Sequence, residues 1–310
     1  MFRDWTPTRR RVIAAGAVAV GMAVGLAPRG KAAPISTQPQ DCAVRYQGYR
    51  PQDQTRPYAQ FMAEHTTPAP RHVFDAFEGP PLAEESIPPF AAMHTDLGRS
   101  SYSEIETGYG RQAGGVLFVA VRTVMPRVTP AMWDWWFGWH SVEAARYKLW
   151  HPDAHLYASL KHDLTGADIA DKQKYVGNTT YVDEYVGPKL QQLGIEFRDP
   201  IAHGFDVPPD QTLILGRVGS SIVPVDLGWL AHQVRPIDGG SEMRSRFYLN
   251  IRGLHLPNLG QAACAVRRGA SVDPRDLVLS LSVAKDLLLH CGEEMNHLAG
   301  FLPELHAQFS

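Results

Sequence analysis

The chain has 310 residues, of which 44% are hydrophobic and 20% charged, with a formal net charge of −2. This composition is typical of a globular protein that buries a sizeable core, and it excludes disorder as the default. The sequence has no basic patch, which excludes nucleic acid and an anionic membrane surface as expected partners. Three cysteines, Cys42, Cys264 and Cys291, are too few and too scattered for a disulfide framework or a cysteine-built metal site.

The first 33 residues have the form of an export signal. Thr8, Arg9, Arg10 and Arg11 precede a Gly/Ala-rich apolar run that is short beside a membrane-spanning helix. The order Thr-Arg-Arg-x-Val-Ile resembles a twin-arginine signal, which serves proteins exported already folded. We therefore predict that residues 1–33 are cleaved and that the mature protein is periplasmic or secreted, without stable membrane insertion.

Export has two consequences for the rest of the chain. Removal of residues 1–33 would leave 24 basic and 31 acidic residues, a net charge of about −7. In an oxidising compartment Cys42 and Cys264 can pair, whereas Cys291 is interpreted as a small buried residue.

Two regions follow the signal. Residues 34–110 are predicted to form an N-terminal region, which is irregular or partly helical because residues 34 to about 89 are rich in proline, glutamine and threonine. Residues 111–310 alternate strand and helix patterns, with Thr129-Pro130 and Asp273-Pro274 as helix starts and a long final helix running toward Gly300. The predicted strands are 115–125, 174–186, 213–218, 229–235 and 243–252. This order predicts an α+β domain in which a curved antiparallel sheet wraps around the long C-terminal helix.

The most specific local feature is the run His290-Cys-Gly-Glu-Glu-Met-Asn-His297. Residues four apart share one face of a helix, so His290 and Glu294 can direct a nitrogen and a carboxylate at one ion. They continue the apolar stripe of the helix, where burial of both groups is costly unless they are paired or bind a metal. The alternative is a His–Glu hydrogen bond at a solvated helix end, and Glu293 and His297 remain open as further ligands.

Two other clusters carry polar groups. Four tryptophans and His140 fall in the run Met132-Trp-Asp-Trp-Trp-Phe-Gly-Trp-His140, which is typical of core packing or an aromatic wall. Glu242, Arg244 and Arg246 would share one face of a strand, and for them we favour a solvated ladder of ion pairs. The sequence contains no Gly-rich phosphate loop, Gly-x-Ser-x-Gly motif or His-Glu-x-x-His helix.

Several separated motifs, in a shared order, make the chain resemble the 2,4-diacetylphloroglucinol hydrolase family, which includes phloretin hydrolase. The resemblance covers roughly residues 104–297. The motifs are Met132-Trp-Asp-Trp-Trp-Phe-Gly-Trp-His140, Tyr147-Lys-Leu-Trp-His-Pro-Asp-Ala-His155, Asp183-Glu-Tyr-Val-Gly187, His232-Gln-Val-Arg235, Glu242-Met-Arg-Ser-Arg-Phe247 and His290-Cys-x-x-Glu294.

The resemblance implies a helix-grip domain, similar to the birch-allergen fold, behind a smaller N-terminal region. It also implies a zinc ion held by two histidines and two glutamates, which fall on His140, Glu184, His290 and Glu294. Asp171 and Asp183 are alternatives to Glu184. The additional active-site histidine of the family matches His232, which we expect to be catalytic. The expected substrate-binding residues are Tyr109, Tyr147 and Trp136.

The implied reaction is hydrolysis of the carbon–carbon bond between an acyl group and a phenolic ring, with release of a carboxylic acid. The ring must first be protonated and its phenol converted to a keto tautomer, and a histidine with an unperturbed pKa of about 6.5 suits that proton transfer. Zn²⁺ suits two nitrogen and two oxygen ligands. We expect a small aromatic ketone as substrate, and a homodimer is compatible with the sequence. The alternatives are a non-catalytic helix-grip binder of a hydrophobic phenolic or polyketide ligand, and a metal that only clamps the fold.

Overall fold

The computed structural model describes residues 44–251, 253–269 and 278–310. The predicted signal peptide, Cys42 and the predicted helix start at Asp273 lie outside these residues. The strands are β1 (Gly108–Arg111), β2 (Leu117–Pro126), β3 (His155–Leu160), β4 (Thr179–Val186), β5 (Lys189–Arg198), β6 (Thr212–Ser220), β7 (Asp226–Ile237) and β8 (Gly240–Leu249). The helices are α1 (Arg71–Glu78), α2 (Met93–Leu97), α3 (Pro130–Trp139), α4 (Ala144–Lys148), α5 (Asp171–Tyr175), α6 (Leu259–Arg267), α7 (Leu281–Ala299) and α8 (Leu302–Phe309). None of the helices in these ranges is long and apolar enough to cross a membrane.

All eight strands form one antiparallel sheet in the order β1-β2-β8-β7-β6-β5-β4-β3. The long helix α7 packs against β1, β2 and β4, so the sheet wraps around it. The β7–β8 hairpin turns at Gly239, whose φ of 76° is a conformation that glycine adopts without a steric penalty. The predicted α+β helix-grip fold is confirmed.

Helix α7 begins at Leu281, which is later than the predicted start at Asp273. Asn250, at the end of β8, has a φ of 61°, and its side chain hydrogen-bonds both backbone groups of Leu279. The amide oxygen accepts from Leu279 N at 2.8 Å, and the amide nitrogen donates to Leu279 O at 2.9 Å. These bonds hold the chain in a non-helical conformation just before Ser280, the N-cap of α7.

Two further differences lie around the predicted strand 174–186. Its first residues belong to α5, and the strand starts only at Thr179, after a turn in which the Asn178 side chain donates to Lys174 O at 3.2 Å. Strands β3 and β5, on either side of β4, have no counterpart among the predicted strands. The predicted domain boundary between residues 110 and 111 falls inside β1.

Both faces of the sheet are buried. Alternate residues of β2 belong to two apolar cores: Val119 packs in the core that includes α7, and Phe118 in a second core with the N-terminal region. The second core also contains ion pairs. Arg244 and Arg246 are fully buried and pair with Glu106 and Asp96, both at 2.8–2.9 Å. The interpretation of Arg244, Arg246 and Glu242 as a solvated ladder is therefore wrong, because the N-terminal region covers them.

Two of the three cysteines lie among the described residues, and Cys291 is buried as predicted. Cys264 is disulfide-bonded, and Cys291 is free and buried in α7. The pairing of Cys264 with Cys42 stays a prediction, since Cys42 lies outside the described residues.

Candidate metal centre

Four buried side chains converge beneath the C-terminal half of α7. His155, His290 and Glu294 each offer one ligand atom, and these atoms lie within 4.8 Å of one another. Glu294 Oε2 is 3.6 Å from His155 Nε2 and 3.8 Å from His290 Nε2. Glu184 Oε2 is 3.7 Å from His155 Nε2. Three ligand atoms thus lie mutually close, and the Glu184 carboxylate joins the group through its approach to His155.

Local backbone geometry accounts for this convergence. His290 and Glu294 are one turn apart on the face of α7 that meets the sheet. His155 is the first residue of β3 and is the register partner of Glu184 in β4. Because side chains alternate along a strand, Glu184 faces the interior together with Val182.

The same alternation turns Asp183 to the opposite face. Its two oxygens each accept a hydrogen bond of 2.9 Å from Arg268. Asp171, at the start of α5, pairs with Lys174 at 2.9 Å. Of the three acidic residues considered for the second glutamate position, only Glu184 reaches the cluster.

Neighbouring groups orient the candidate ligands. His155 Nδ1 donates to Tyr147 O at 2.9 Å, and its ring stacks on that of Tyr147 with centroids 3.7 Å apart. The Tyr147 hydroxyl donates to the Glu184 carboxylate. His290 hydrogen-bonds the backbone of Tyr185. Both imidazoles therefore keep Nε2 for the cluster, which is the arrangement that outer contacts impose on metal-binding histidines.

Burial governs the charge states here. It raises the pKa of Glu184 to about 7, and burial together with the charge of Glu184 raises the pKa of Glu294 well above its usual range. Burial also lowers the pKa values of His155 and His290 far below 6.5, so both imidazoles are neutral. Neutral imidazole is the form that binds metals.

The donor set fits a divalent cation. His155 Nε2 is a buried polar atom with no hydrogen-bond partner among the described residues. Such atoms are rare unless they bind something, and two buried carboxylates beside it call for a positive charge. The four residues therefore form a site able to hold a metal ion.

His140, the predicted first histidine ligand, lies outside this cluster. Its Nδ1 donates to Trp136 O at 2.8 Å, its Nε2 bonds Ser141 Oγ at 3.0 Å, and its ring stacks on Trp136 at 4.7 Å. Both nitrogens are thus satisfied by the neighbouring chain. His155 was not singled out from sequence, although it ends the motif Tyr147-Lys-Leu-Trp-His-Pro-Asp-Ala-His155 that contributes to the family resemblance.

Three residues of the cluster, Glu184, His290 and Glu294, line a cavity between the sheet, α3 and α7. Among the predicted site residues, those that line it are His140, Tyr147, Glu184, His232, His290 and Glu294. Trp136 is not among the described lining residues and packs behind His140, while Trp150 and Phe137 provide the aromatic lining instead. Tyr109 lies in β1, where its hydroxyl bonds Gly79 O at 3.4 Å, outside the described lining.

His232, in β7, also lines the cavity. Its Nδ1 is 2.8 Å from Ser245 Oγ, and its ring lies between Phe137 and Phe247, with centroids 6.4 and 5.5 Å away. Burial lowers its pKa to about 3, so the imidazole is neutral at ordinary pH. Because Ser245 bonds Nδ1, the other ring nitrogen, Nε2, is available to a ligand in the cavity.

Comparison with known proteins assigns the chain to a family. Residues 87–307 match the family model described as DAPG hydrolase PhiG domain. The chain is 27% identical over 266 residues to a 2,4-diacetylphloroglucinol hydrolase of a Pseudomonas species, covering 82% of this chain and 88% of the relative. It is 29% identical over 259 residues to a phloretin hydrolase of Eubacterium ramulus, covering 81% and 89%.

Among solved structures, Ara h 8.0201 aligns with a TM-score of 0.30 and 11% identity, over 57% of this chain and 99% of that one. That score is too low to support an argument, and the fold is evident from the sheet order and α7. The match to the family model covers most of the domain that carries the cluster. The chain belongs to the DAPG hydrolase family.

Proposed function

We propose that this protein is a zinc-dependent hydrolase that cleaves the carbon–carbon bond between an acyl group and a phenolic ring, releasing a carboxylic acid. The observation that carries the proposal is the buried cluster of two imidazoles and two carboxylates beside a largely apolar cavity. Two relatives are named as hydrolases of 2,4-diacetylphloroglucinol and phloretin. The expectation that the chain is a hydrolase is confirmed by its family membership.

We assign the metal ligands as His155, Glu184, His290 and Glu294, with His155 in place of His140. Two nitrogens and two carboxylate oxygens favour Zn²⁺ over harder cations, which prefer oxygen ligands alone. A bound zinc ion would polarise the oxygens of the substrate. Tyr147 would hold Glu184 and His155 in place through its hydroxyl, its carbonyl oxygen and its ring.

His232 is the proposed proton carrier for the ring carbon. Its neutral imidazole bonds a serine hydroxyl, which can donate or accept, so Nε2 can carry the proton or receive it. Burial keeps the imidazole neutral at ordinary pH. It would therefore take up a proton at Nε2 from a phenolic hydroxyl or from water and deliver that proton to the ring carbon, returning to the neutral form. Phe137 and Trp150 would hold the flat phenolic ring beside the metal end.

The test uses the metal-replete protein and acylphloroglucinols, with carboxylic acid release as the readout. We expect acid release by the wild type, and loss of both bound metal and activity in Glu294→Ala. Glu304→Ala is the matched control, because Glu304 lies on α8 and bonds Arg127 at the surface. Absence of acid release by the loaded wild type would contradict the proposal. Tight binding of these ketones without turnover would support the helix-grip binding protein instead.

We also propose export by the twin-arginine pathway, which rests on the sequence of residues 1–33 alone. Replacement of Arg9 and Arg10 by lysine should keep the precursor in the cytoplasm, as measured by cell fractionation. An unchanged distribution would contradict this proposal.

A further inference from the structure

We infer that the physiological substrate carries an extended aliphatic acyl group, much longer than acetyl, which lies along the first turns of α7. This inference rests on the proposed function and names the class of ketone that the site accepts. It is carried by a purely aliphatic part of the cavity, which we call the tail compartment. Its residues are Val218, Leu227, Leu249, Leu279, Val283 and Leu287.

The tail compartment lies at a defined distance from the metal cluster. Val283, Leu287, His290 and Glu294 all line the cavity from one helix. With a rise of 1.5 Å per residue, Val283 lies about 10 Å from His290 along the axis of α7. A ligand with its reacting carbonyl at the cluster therefore has about 10 Å of aliphatic wall beside it.

The sheet supplies the opposite wall. Leu249 is the last residue of β8, and its register partner Gly228 adjoins Leu227 in β7. Gly228 is in turn paired with Val218 of β6. Leu279 also lines the compartment, and two hydrogen bonds between its backbone and the Asn250 side chain hold it in place. The compartment is thus built from ordered, mostly buried elements.

The chemistry of this wall selects its occupant. None of its six residues offers a hydrogen bond through its side chain, so a hydroxylated second ring would lose its water without compensation. The polar lining groups nearest the reacting end, Tyr147 and Glu184, can meet the phenolic ring instead. An acetyl ketone would leave the tail compartment empty, whereas an alkyl chain would bury methylenes against it.

The first test compares acetyl-, butanoyl-, hexanoyl- and octanoylphloroglucinol as substrates. We expect kcat/KM to rise about fourfold per methylene, the ratio that corresponds to ~0.8 kcal/mol per buried CH₂, mainly through KM. Acetylphloroglucinol as the best substrate, or a preference for a hydroxylated phenylpropanoyl ketone over the octanoyl one, would overturn the inference and leave the proposed hydrolysis intact.

A second test reads binding without turnover. In metal-free Glu294→Gln, tryptophan fluorescence should report tighter binding of octanoate than of butanoate, by more than tenfold. Equal affinities would overturn the inference. If affinity depends on chain length in this way but the metal-loaded wild type cleaves no ketone, the proposed hydrolysis is contradicted. The binding of an aliphatic chain in the tail compartment is then still supported.

Two variants test whether the gain in kcat/KM with chain length arises in the tail compartment. Val283→Phe and Leu227→Phe, on opposite walls, should abolish the gain from longer chains while acetylphloroglucinol is still cleaved. Val124→Phe is the matched control, because Val124 is 43% exposed on β2. Retention of the chain-length gain in both folded wall variants would overturn the inference.

Discussion

Replacement of His155 by alanine should abolish tight metal binding, because this side chain lies at the centre of the cluster. Its Nε2 is within 3.7 Å of an oxygen of both Glu184 and Glu294. Without it, three ligands remain, two of which are carboxylates that repel each other. Loss of an outer contact to a metal ligand already costs 10–100-fold in affinity, so loss of the ligand should raise Kd more than about 100-fold, or ~2.7 kcal/mol.

The assay is a titration of metal-free protein with Zn²⁺ against a competing chelator, with elemental analysis of the purified variants. The matched variant is His140→Ala, which removes another fully buried histidine of the same cavity. His140→Ala should retain wild-type zinc affinity and lose stability instead, because it loses the stack on Trp136. The reasoning is refuted if His155→Ala still binds one zinc tightly, or if His140→Ala is the variant that loses it.

Three other outcomes are expected. Tyr147→Phe keeps the ring and the carbonyl but loses the hydroxyl bond to Glu184, so zinc affinity measured by the same competition should fall 10–100-fold; an unchanged Kd would contradict this role. Folding lowers the pKa of His232 to about 3. As pH drops below 6.5 the unfolded chain therefore takes up a proton on this histidine while the folded protein does not, and the free energy of unfolding falls. Between pH 7 and 5, His232→Asn should lose about 2 kcal/mol less stability than wild type in urea denaturation, and equal losses would refute this. Burial raises the pKa of metal-free Glu184 to about 7, so this carboxylate is mostly protonated at pH 6 and mostly ionised at pH 8. Zinc binding should therefore release more protons at pH 6 than at pH 8. Calorimetry in buffers of different ionisation enthalpy measures this release.

The helical half of the cluster could be predicted from sequence because its geometry is local. The spacing of His290 and Glu294 fixes their common face whatever the rest of the chain does. Glu184 could be predicted as a ligand only from the family resemblance. The alternation of side chains along β4 then explains why Glu184 faces the cavity while Asp183 does not. The orientation of each of these side chains is set by the geometry of a single helix or strand.

His155 could not be found in this way because its position depends on a long-range pairing. It belongs to β3, whose short and mixed sequence gives little strand pattern, and it reaches the cluster only through its register with Glu184. The ligand role of His140 is predicted by the family resemblance alone, since its tryptophan-rich surroundings are typical of core packing. Those same aromatic residues bury it, and Trp136 satisfies one of its nitrogens.

The buried arginines of β8 were misjudged for a related reason. Charged residues are almost never fully buried unless they are paired. The partners of Arg244 and Arg246 are Glu106 and Asp96, which precede β8 by more than half of the domain and lie in a region whose sequence shows little periodicity. Pairing across such a separation leaves no local pattern in the sequence.

Charge balance connects the cluster to the rest of the cavity. Glu184 and Glu294 contribute two negative charges when ionised, while burial keeps His155 and His290 neutral. One divalent cation makes the site neutral overall, whereas a monovalent ion would leave a net charge in an apolar surrounding, where it is costly. Without a metal the same surroundings drive protons onto the carboxylates, as the raised pKa values of both glutamates indicate. A neutral loaded centre beside aliphatic walls can in turn accept a ketone with an uncharged chain, because neither end of the cavity then requires a counter-ion.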